Sequence, residues 1–171
     1  MATDHHSDSQ ADREALFARI KDIRFGMLTH RDAQGMLHAH PLTTLDQDIA
    51  AQAQLHFFIP RGSELHERLA ADSQVALSYA NPKEDCYVSI SGTAAFIEDA
   101  ARKEELWTPM AKAWFPDGPG DPNLVLLAVN IQHAEYWDVQ DSKLTQLYKL
   151  ATAAMTGERP KELGEHREFD L

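Results

Sequence analysis

The segment from residue 55 to residue 80 restricts the fold more than any other part of the chain. Residues 55–59 form a compact apolar run that Pro60 ends, so the pattern predicts a strand. Ser63, which follows a glycine that permits a turn, is a suitable N-cap for a short helix. Residues 75–79 alternate between large and small side chains, which predicts a second strand. Along the chain as a whole, the connections between predicted strands are mostly too short for the crossovers that a parallel sheet needs.

The rest of the chain shows a similar succession of short elements. Further strands are predicted at residues 25–31, 36–43, 87–97, 124–131 and 134–139, with a turn at residues 132–133 between the last two. Helices are predicted to begin near Ser9, after Asp99 and after Thr108, and to span residues 143–155, whereas residues 46–54 are predicted to form a loop. We therefore predict a mainly β protein with peripheral helices. Closing its antiparallel sheet into a barrel would remove the exposed edges.

Composition and length limit the function classes. The 171 residues are predicted to form one domain over residues 9–157, with polar tails at residues 1–8 and 158–171. The net charge of −11 and the absence of a basic cluster argue against nucleic-acid binding. The single cysteine, Cys86, excludes an internal disulfide. No apolar run reaches membrane length and no signal-peptide pattern occurs, so a cytoplasmic protein without a membrane partner is expected.

The turn before Ser63 is the first candidate binding site. A turn that leads into a helix N-terminus directs backbone N–H groups and a hydroxyl outward, and such groups suit a phosphate or another anion. The simpler alternative is that Ser63 only caps its helix, which is the common role of serine at this position.

Three histidines flank the predicted hairpin and form the second candidate site. His38 and His40 share a strand face because side chains alternate along a strand, and His30 lies on the neighbouring strand. A metal site would need a third convergent ligand and a supporting shell of hydrogen bonds, so no metal is predicted. The sequence contains no motif of a serine nucleophile, a phosphate-binding loop or a dinucleotide-binding loop.

Three segments follow one another along the chain: His40-Pro41-Leu42-Thr43, then residues 55–59 leading to Ser63, and then residues 75–79. Their order resembles that of the pyridoxamine 5'-phosphate oxidase-like split barrels. More narrowly, the chain is similar to the general stress protein 26 group in residues 87–94, Leu106-Trp107, Trp114-Phe115-Pro116 and residues 134–138. This resemblance covers about residues 10–160.

The resemblance implies a six-stranded antiparallel split β-barrel that forms a homodimer and binds FMN in clefts between the subunits. Residues implied to line the cofactor are His40, Pro41, Leu42 and Thr43, then Phe57, Phe58 and Ile59, with Ser63 at the phosphate. Trp107 and Trp114 would close the cleft from the partner subunit. The apolar run at residues 124–131 independently suggests a dimer, because one small barrel would leave part of it uncovered.

Two positions depart from the family pattern. The family usually has an arginine where His40 stands and a lysine where Leu65 stands, and both of those cations pair with the phosphate. Arg61 could replace one of them, because a guanidinium matches phosphate oxygens.

The resemblance thus implies an FMN-binding general stress protein that acts as an oxidoreductase on a substrate the sequence does not name. A flavin-binding or flavin-sensing module without turnover is the first alternative. Pyridoxamine 5'-phosphate oxidase activity is the second, and it is weakened because the C-terminal Arg and His motif of that enzyme has no clear match in residues 164–171.

Overall fold

The computed structural model describes residues 8–45, 53–139, 150 and 165–171. Seven strands form one sheet: β1 Phe25–Arg31, β2 Leu37–Thr43, β3 Gln54–Pro60, β4 Gln74–Asn81, β5 Cys86–Ile97, β6 Leu124–Asp138 and β7 Glu165–Asp170. Three α-helices whose bounds lie within the described residues surround it: α1 Asp8–Ile20, α2 Glu64–Ala71 and α3 Ala100–Glu105. Two 3₁₀ segments, Pro109–Ala113 and Gly118–Gly120, follow α3.

The sheet is antiparallel throughout and closes on itself. Its strand order is β2-β1-β4-β5-β6-β3, and β7 pairs with β6 outside this path. The two terminal strands of this order, β2 and β3, contact each other, and the backbone N–H of Leu45 donates to the carbonyl of His56 at 3.0 Å. The prediction of a mainly β, antiparallel split barrel with peripheral helices is therefore confirmed.

The predicted turn at residues 132–133 is wrong, because β6 is one continuous strand. Its register with β5 shifts at that point: Gly92 pairs with Ile131, whereas Ser91 pairs with His133. Gln132 is thus the extra residue of a β-bulge, which bends a strand without ending it. A Cβ at Gly92 would lie 2.1 Å from the Asn130 carbonyl oxygen, so the close approach of the two backbones requires glycine here.

Part of the segment that was predicted to be a polar C-terminal tail forms a strand. Glu165–Asp170 forms β7, which adds a seventh strand to the six of the barrel. It pairs with the C-terminal half of β6, where residues 133–138 would otherwise present an unpaired edge. The predicted helix over residues 143–155 and most of the predicted loop at residues 46–54 lie outside the described residues.

The hydrophobic core fills the barrel and continues beneath α1 and α2. Leu16 and Ile20 of α1 and Leu65 and Leu69 of α2 are buried in it. The β6 residues from Leu124 to Val129 are also buried within this single chain. The reason given above for a dimer, that one barrel would leave this strand uncovered, is therefore wrong. Within the described ranges, no helix is long and apolar enough to span a membrane.

Candidate functional site

The seam where β2 meets β3 brings the predicted site segments together. These two strands are the ends of the strand order and come into contact only because the barrel closes. Helix α2 begins just after β3 and contacts both β1 and β3. Residues 40–43, 57–59 and 61–65, which the resemblance assigned to one site, therefore belong to adjoining elements.

Strand β2 presents alternating side chains at this seam. His38, His40 and Leu42 are half-buried, whereas Pro41 and Thr43 are exposed. Because β2 ends the strand order, the proline occurs in an edge strand, as its missing N–H donor predicts. The face of β2 that carries the two histidines is thus the face that continues into the barrel.

Two of the three predicted ligand residues on strand β3 have their side chains buried in the core. Phe57 and Ile59 are 0% exposed and belong to the core cluster, so their side chains are not available to a ligand. Phe58 points the other way and is half-buried, with its ring 6.0 Å from that of Trp107 and 6.3 Å from that of Phe115. Trp114 is 78% exposed.

The residues expected at a phosphate are engaged within the chain. The Ser63 hydroxyl accepts a hydrogen bond from the His66 backbone N–H at 3.2 Å and so caps α2. The Arg61 guanidinium donates to the Glu98 carboxylate at 2.9 Å and to the Pro122 carbonyl at 3.0 Å. The Glu98 carboxylate accepts hydrogen bonds from Arg61, the larger cause, and from Lys103, and both hold the pKa of Glu98 below its usual value. Leu65 is only 6% exposed and packs in the core.

A buried histidine lies behind β2. His30 is 1% exposed, and neither of its ring nitrogens has a hydrogen-bond partner among the described residues. Its ring stacks on those of His40 and His38, with centroids 5.1 and 5.8 Å away. Burial, the largest cause, lowers its pKa; an interaction with the Arg31 backbone opposes this shift, and the nearby His40 and Arg68 lower the pKa further. His38 is instead paired with Asp32 at 2.9 Å, which lowers the pKa of that carboxyl.

Helix α2 contributes a second unpartnered group. The Nη1 atom of Arg68 is buried and has no hydrogen-bond partner in the described part of the chain, whereas its Nη2 pairs with Glu64. Sequence reasoning missed Arg68 as a candidate. The available signal was its position three residues after Leu65, which places both residues on one face of the helix.

The only described His, Cys, Asp or Glu side chains whose ligand atoms converge within 4.8 Å are His133, Glu135 and Glu168. They lie on β6 and β7, whereas His30 lies on β1 and His38 and His40 lie on β2. These three histidines are not among the convergent groups of the described residues.

Comparison with known proteins identifies the fold's relatives. The profile of the family described as "Pyridoxamine 5'-phosphate oxidase like" matches residues 11–161. The chain belongs to this family. A curated relative, Protein bli-3 of Neurospora crassa, is 25% identical over 154 residues, which span 85% of this chain and 73% of the relative. General stress protein 26 of Bacillus subtilis is 40% identical over 45 residues, 26% of this chain and 31% of that protein.

Solved structures of general stress proteins are similar to this chain. A protein of Jannaschia sp. CCS1 assigned to general stress protein 26 superposes with a TM-score of 0.73 at 26% identity, covering 94% of this chain and 99% of that one. The general stress FMN/FAD binding protein of Xanthomonas citri superposes with a TM-score of 0.65 at 29% identity, covering 76% of this chain and 90% of that one. The chain is thus similar to general stress proteins of the pyridoxamine 5'-phosphate oxidase-like family over most of its length.

Proposed function

We propose that this family member is an FMN-binding general stress protein that forms a homodimer and acts as a flavin-dependent oxidoreductase. The observation that carries the proposal is its similarity to the Xanthomonas citri protein, which is described as binding FMN or FAD. The family resemblance places the cofactor among residues 40–43, 57–59 and 61–65, and the elements that carry these residues adjoin at the β2–β3 seam.

The side chains at the seam fit a flavin mononucleotide at two points. Phe58, half-buried against Trp107, offers an aromatic surface outside the barrel core. Arg68 and His30 offer buried nitrogens that lack partners among the described residues, and a phosphate monoester would supply acceptor oxygens. A bound flavin would supply the electron transfer, while this chain would bind and orient it.

The site also differs from the residue list that the resemblance implied. Phe57, Ile59 and Leu65 contribute only backbone to the seam, because their side chains are buried in the core. Arg61 and Ser63 would each have to give up a hydrogen bond within the chain to reach a ligand. His40, Leu42 and Thr43 remain the β2 residues proposed to line the flavin.

An apolar surface outside the barrel supports the dimer. Phe25 and Met27 are exposed on the outer face of β1, and Met110 and Trp114 are exposed in and just after the first 3₁₀ segment. The two groups adjoin, because Arg24 stacks over the Phe25 ring at 4.8 Å and donates to the Met110 sulfur at 2.7 Å. Several large apolar side chains exposed together are typical of a protein–protein interface.

The decisive experiment is to purify the protein, identify any released ligand by mass spectrometry and titrate the apoprotein with FMN, FAD and riboflavin by fluorescence quenching. Binding of FMN more tightly than FAD supports the proposal, and no binding of any flavin refutes it. Sedimentation at micromolar concentration should give a dimer, and a monomer would refute that part.

A binding module without turnover is the second candidate. It is favoured by the engagement of Ser63 with the α2 backbone and of His38 with Asp32, since both polar side chains already have structural roles. Consumption of NADH or NADPH by the flavin-loaded dimer, with oxygen as acceptor, would identify a reductase. A loaded dimer inert toward both nucleotides would identify a module.

A further inference from the structure

Two side chains with strong hydrogen-bonding groups are buried without partners near the end of the barrel that α2 covers. Neither ring nitrogen of His30 has a partner among the described residues, although the side chain is only 1% exposed. The Nη1 atom of Arg68 is also buried and unpartnered within the described residues. Buried polar groups are nearly always hydrogen-bonded, because an unmade bond costs the full desolvation of the group. Because α2, which carries Arg68, contacts β1, which carries His30, one acceptor between the two elements could serve both groups.

The surroundings of these two groups are rich in nitrogen and poor in free carboxylates. The charge of Arg68 acts on His30, and the His40 ring stacks on His30 at 5.1 Å. The acidic residues in this region are already used, since Glu64 pairs with the other Arg68 nitrogen and Asp32 pairs with His38. No acidic side chain of the described chain bonds to His30 or to Arg68 Nη1.

We propose that His30 and Arg68, with His40 beside them, form an internal binding site for a phosphate group. A guanidinium and imidazole donors can be satisfied together by the several oxygens of a phosphate, which one neutral carbonyl could not achieve. Arg68 is 19% exposed and His40 is half-buried, so the site is not sealed from solvent. The lowered pKa of His30 fits a site described without its anion, because a bound anion would favour the protonated ring.

The phosphate has two plausible sources. One is the terminal phosphate of FMN, and this part rests on the proposed function. The other is free inorganic phosphate, which would bind whether or not the protein takes a flavin. The two sources share one chemistry and are separated by the choice of probe.

The test compares Arg68→Gln with Arg102→Gln. Arg102 is a matched control because it also lies on a helix and pairs with a nearby glutamate, Glu105, but on α3. Arg68→Gln should weaken FMN binding at least tenfold and leave riboflavin binding within twofold of wild type, whereas Arg102→Gln should change neither. Glu64→Gln, which frees the guanidinium from its carboxylate, should bind FMN at least as tightly as wild type.

Inorganic phosphate provides the second readout. It should compete with FMN but not with riboflavin in the wild-type protein, and at constant ionic strength it should raise the melting temperature of wild type but not of Arg68→Gln. If no flavin binds, the proposed function fails. The phosphate-induced rise in melting temperature, compared between wild type and Arg68→Gln, then tests the phosphate site by itself. Should Arg68→Gln not fold, Arg68→Lys replaces it, with a partial loss of FMN affinity expected.

Three outcomes would overturn the proposal. The first is equal affinity of wild type for FMN and riboflavin. The second is an equal effect of the Arg68 and Arg102 variants on FMN. The third is the same phosphate-induced melting shift in wild type and Arg68→Gln. The corresponding His30→Gln variant should also weaken FMN binding, by a smaller factor, while keeping the riboflavin affinity.

Discussion

Replacing Leu65 by lysine distinguishes a core residue from a cofactor ligand. The family pattern has a cation at this position, which alone would predict that Leu65→Lys strengthens FMN binding. In the structure the Leu65 side chain is only 6% exposed and packs in the core beneath α2. We therefore expect the substitution to destabilise the fold and to give no gain in affinity that is specific for FMN.

The magnitude follows from burial. Removing a fully buried leucine from the core forfeits about 1.5–3 kcal/mol of hydrophobic free energy. The lysine must also extend its ammonium group to water, which orders a flexible side chain and adds roughly 1 kcal/mol. The expected loss is therefore about 2–4 kcal/mol of unfolding free energy. Because about 1 kcal/mol shifts the melting temperature of a chain of this size by roughly 2–4 °C, the melting temperature should fall by roughly 5–15 °C.

The assay combines a melting curve without ligand and titrations with FMN and riboflavin. Leu65→Met keeps the volume and should cost less than about 1.5 kcal/mol. Ala70→Lys adds the same charge at an exposed position of α2 and should leave the melting temperature nearly unchanged. An unchanged melting temperature for Leu65→Lys, together with a tenfold gain for FMN and none for riboflavin, would show that this reasoning is wrong and that residue 65 faces the phosphate.

Two further predictions concern the bulge and the last strand. Gly92→Ala should lower the unfolding free energy by roughly 1–3 kcal/mol, because its methyl group would lie 2.1 Å from the Asn130 carbonyl oxygen. The control Ser91→Ala, at the exposed neighbouring position, should change the unfolding free energy little. Equal chemical denaturation midpoints for the two variants would contradict this prediction. The hydrogen bond to Asp170 is the main cause that raises the pKa of His133 above its ordinary 6.5. Protonated His133 therefore stabilises the fold fully below pH 6.5, and this stabilisation is lost as pH rises through the higher pKa of the folded state. The melting temperature of wild type minus that of His133→Gln should therefore shrink as pH rises above 6.5, and a difference independent of pH would count against the assignment.

Local patterns were sufficient to predict strands β1 to β5 and the N-caps of α2 and α3. The bounds of β1 were predicted without error, because its buried and exposed residues alternate and a turn follows immediately. Ser63 before α2 and Asp99 before α3 were predicted as N-caps, and both side chains accept the expected backbone hydrogen bond. Such features depend on neighbours in sequence, and these neighbours are visible in one chain.

Features that depend on distant partners were not predicted. The pattern at residues 132–133 resembles a turn, because a bulge and a turn both interrupt the alternation of buried and exposed residues. Residues 165–170 carry few apolar side chains, so nothing local distinguishes β7 from a tail; it is ordered by pairing with β6 and by contacts such as Arg167 with Asp12 at 3.1 Å. Which of residues 57–59 are buried in the core likewise depends on the strands that pack around β3, and these strands are distant in sequence.

The positions of the cations at the seam suggest how one chain can lose the usual phosphate-pairing residues and still bind a phosphate. Leu65 and Arg68 are three residues apart on α2, so they lie on neighbouring turns of one helix face, about 5–6 Å apart at Cβ. An arginine is long enough to cover that displacement, and its forked guanidinium binds two phosphate oxygens where an ammonium binds as a point charge. An arginine at 68 in place of a lysine at 65 puts the cation where its charge acts on His30, whose two ring nitrogens have no hydrogen-bond partner among the described residues. We therefore expect that Arg68→Leu combined with Leu65→Lys does not recover the FMN affinity of wild type in a fluorescence titration, because the His30 ring would remain without its anion.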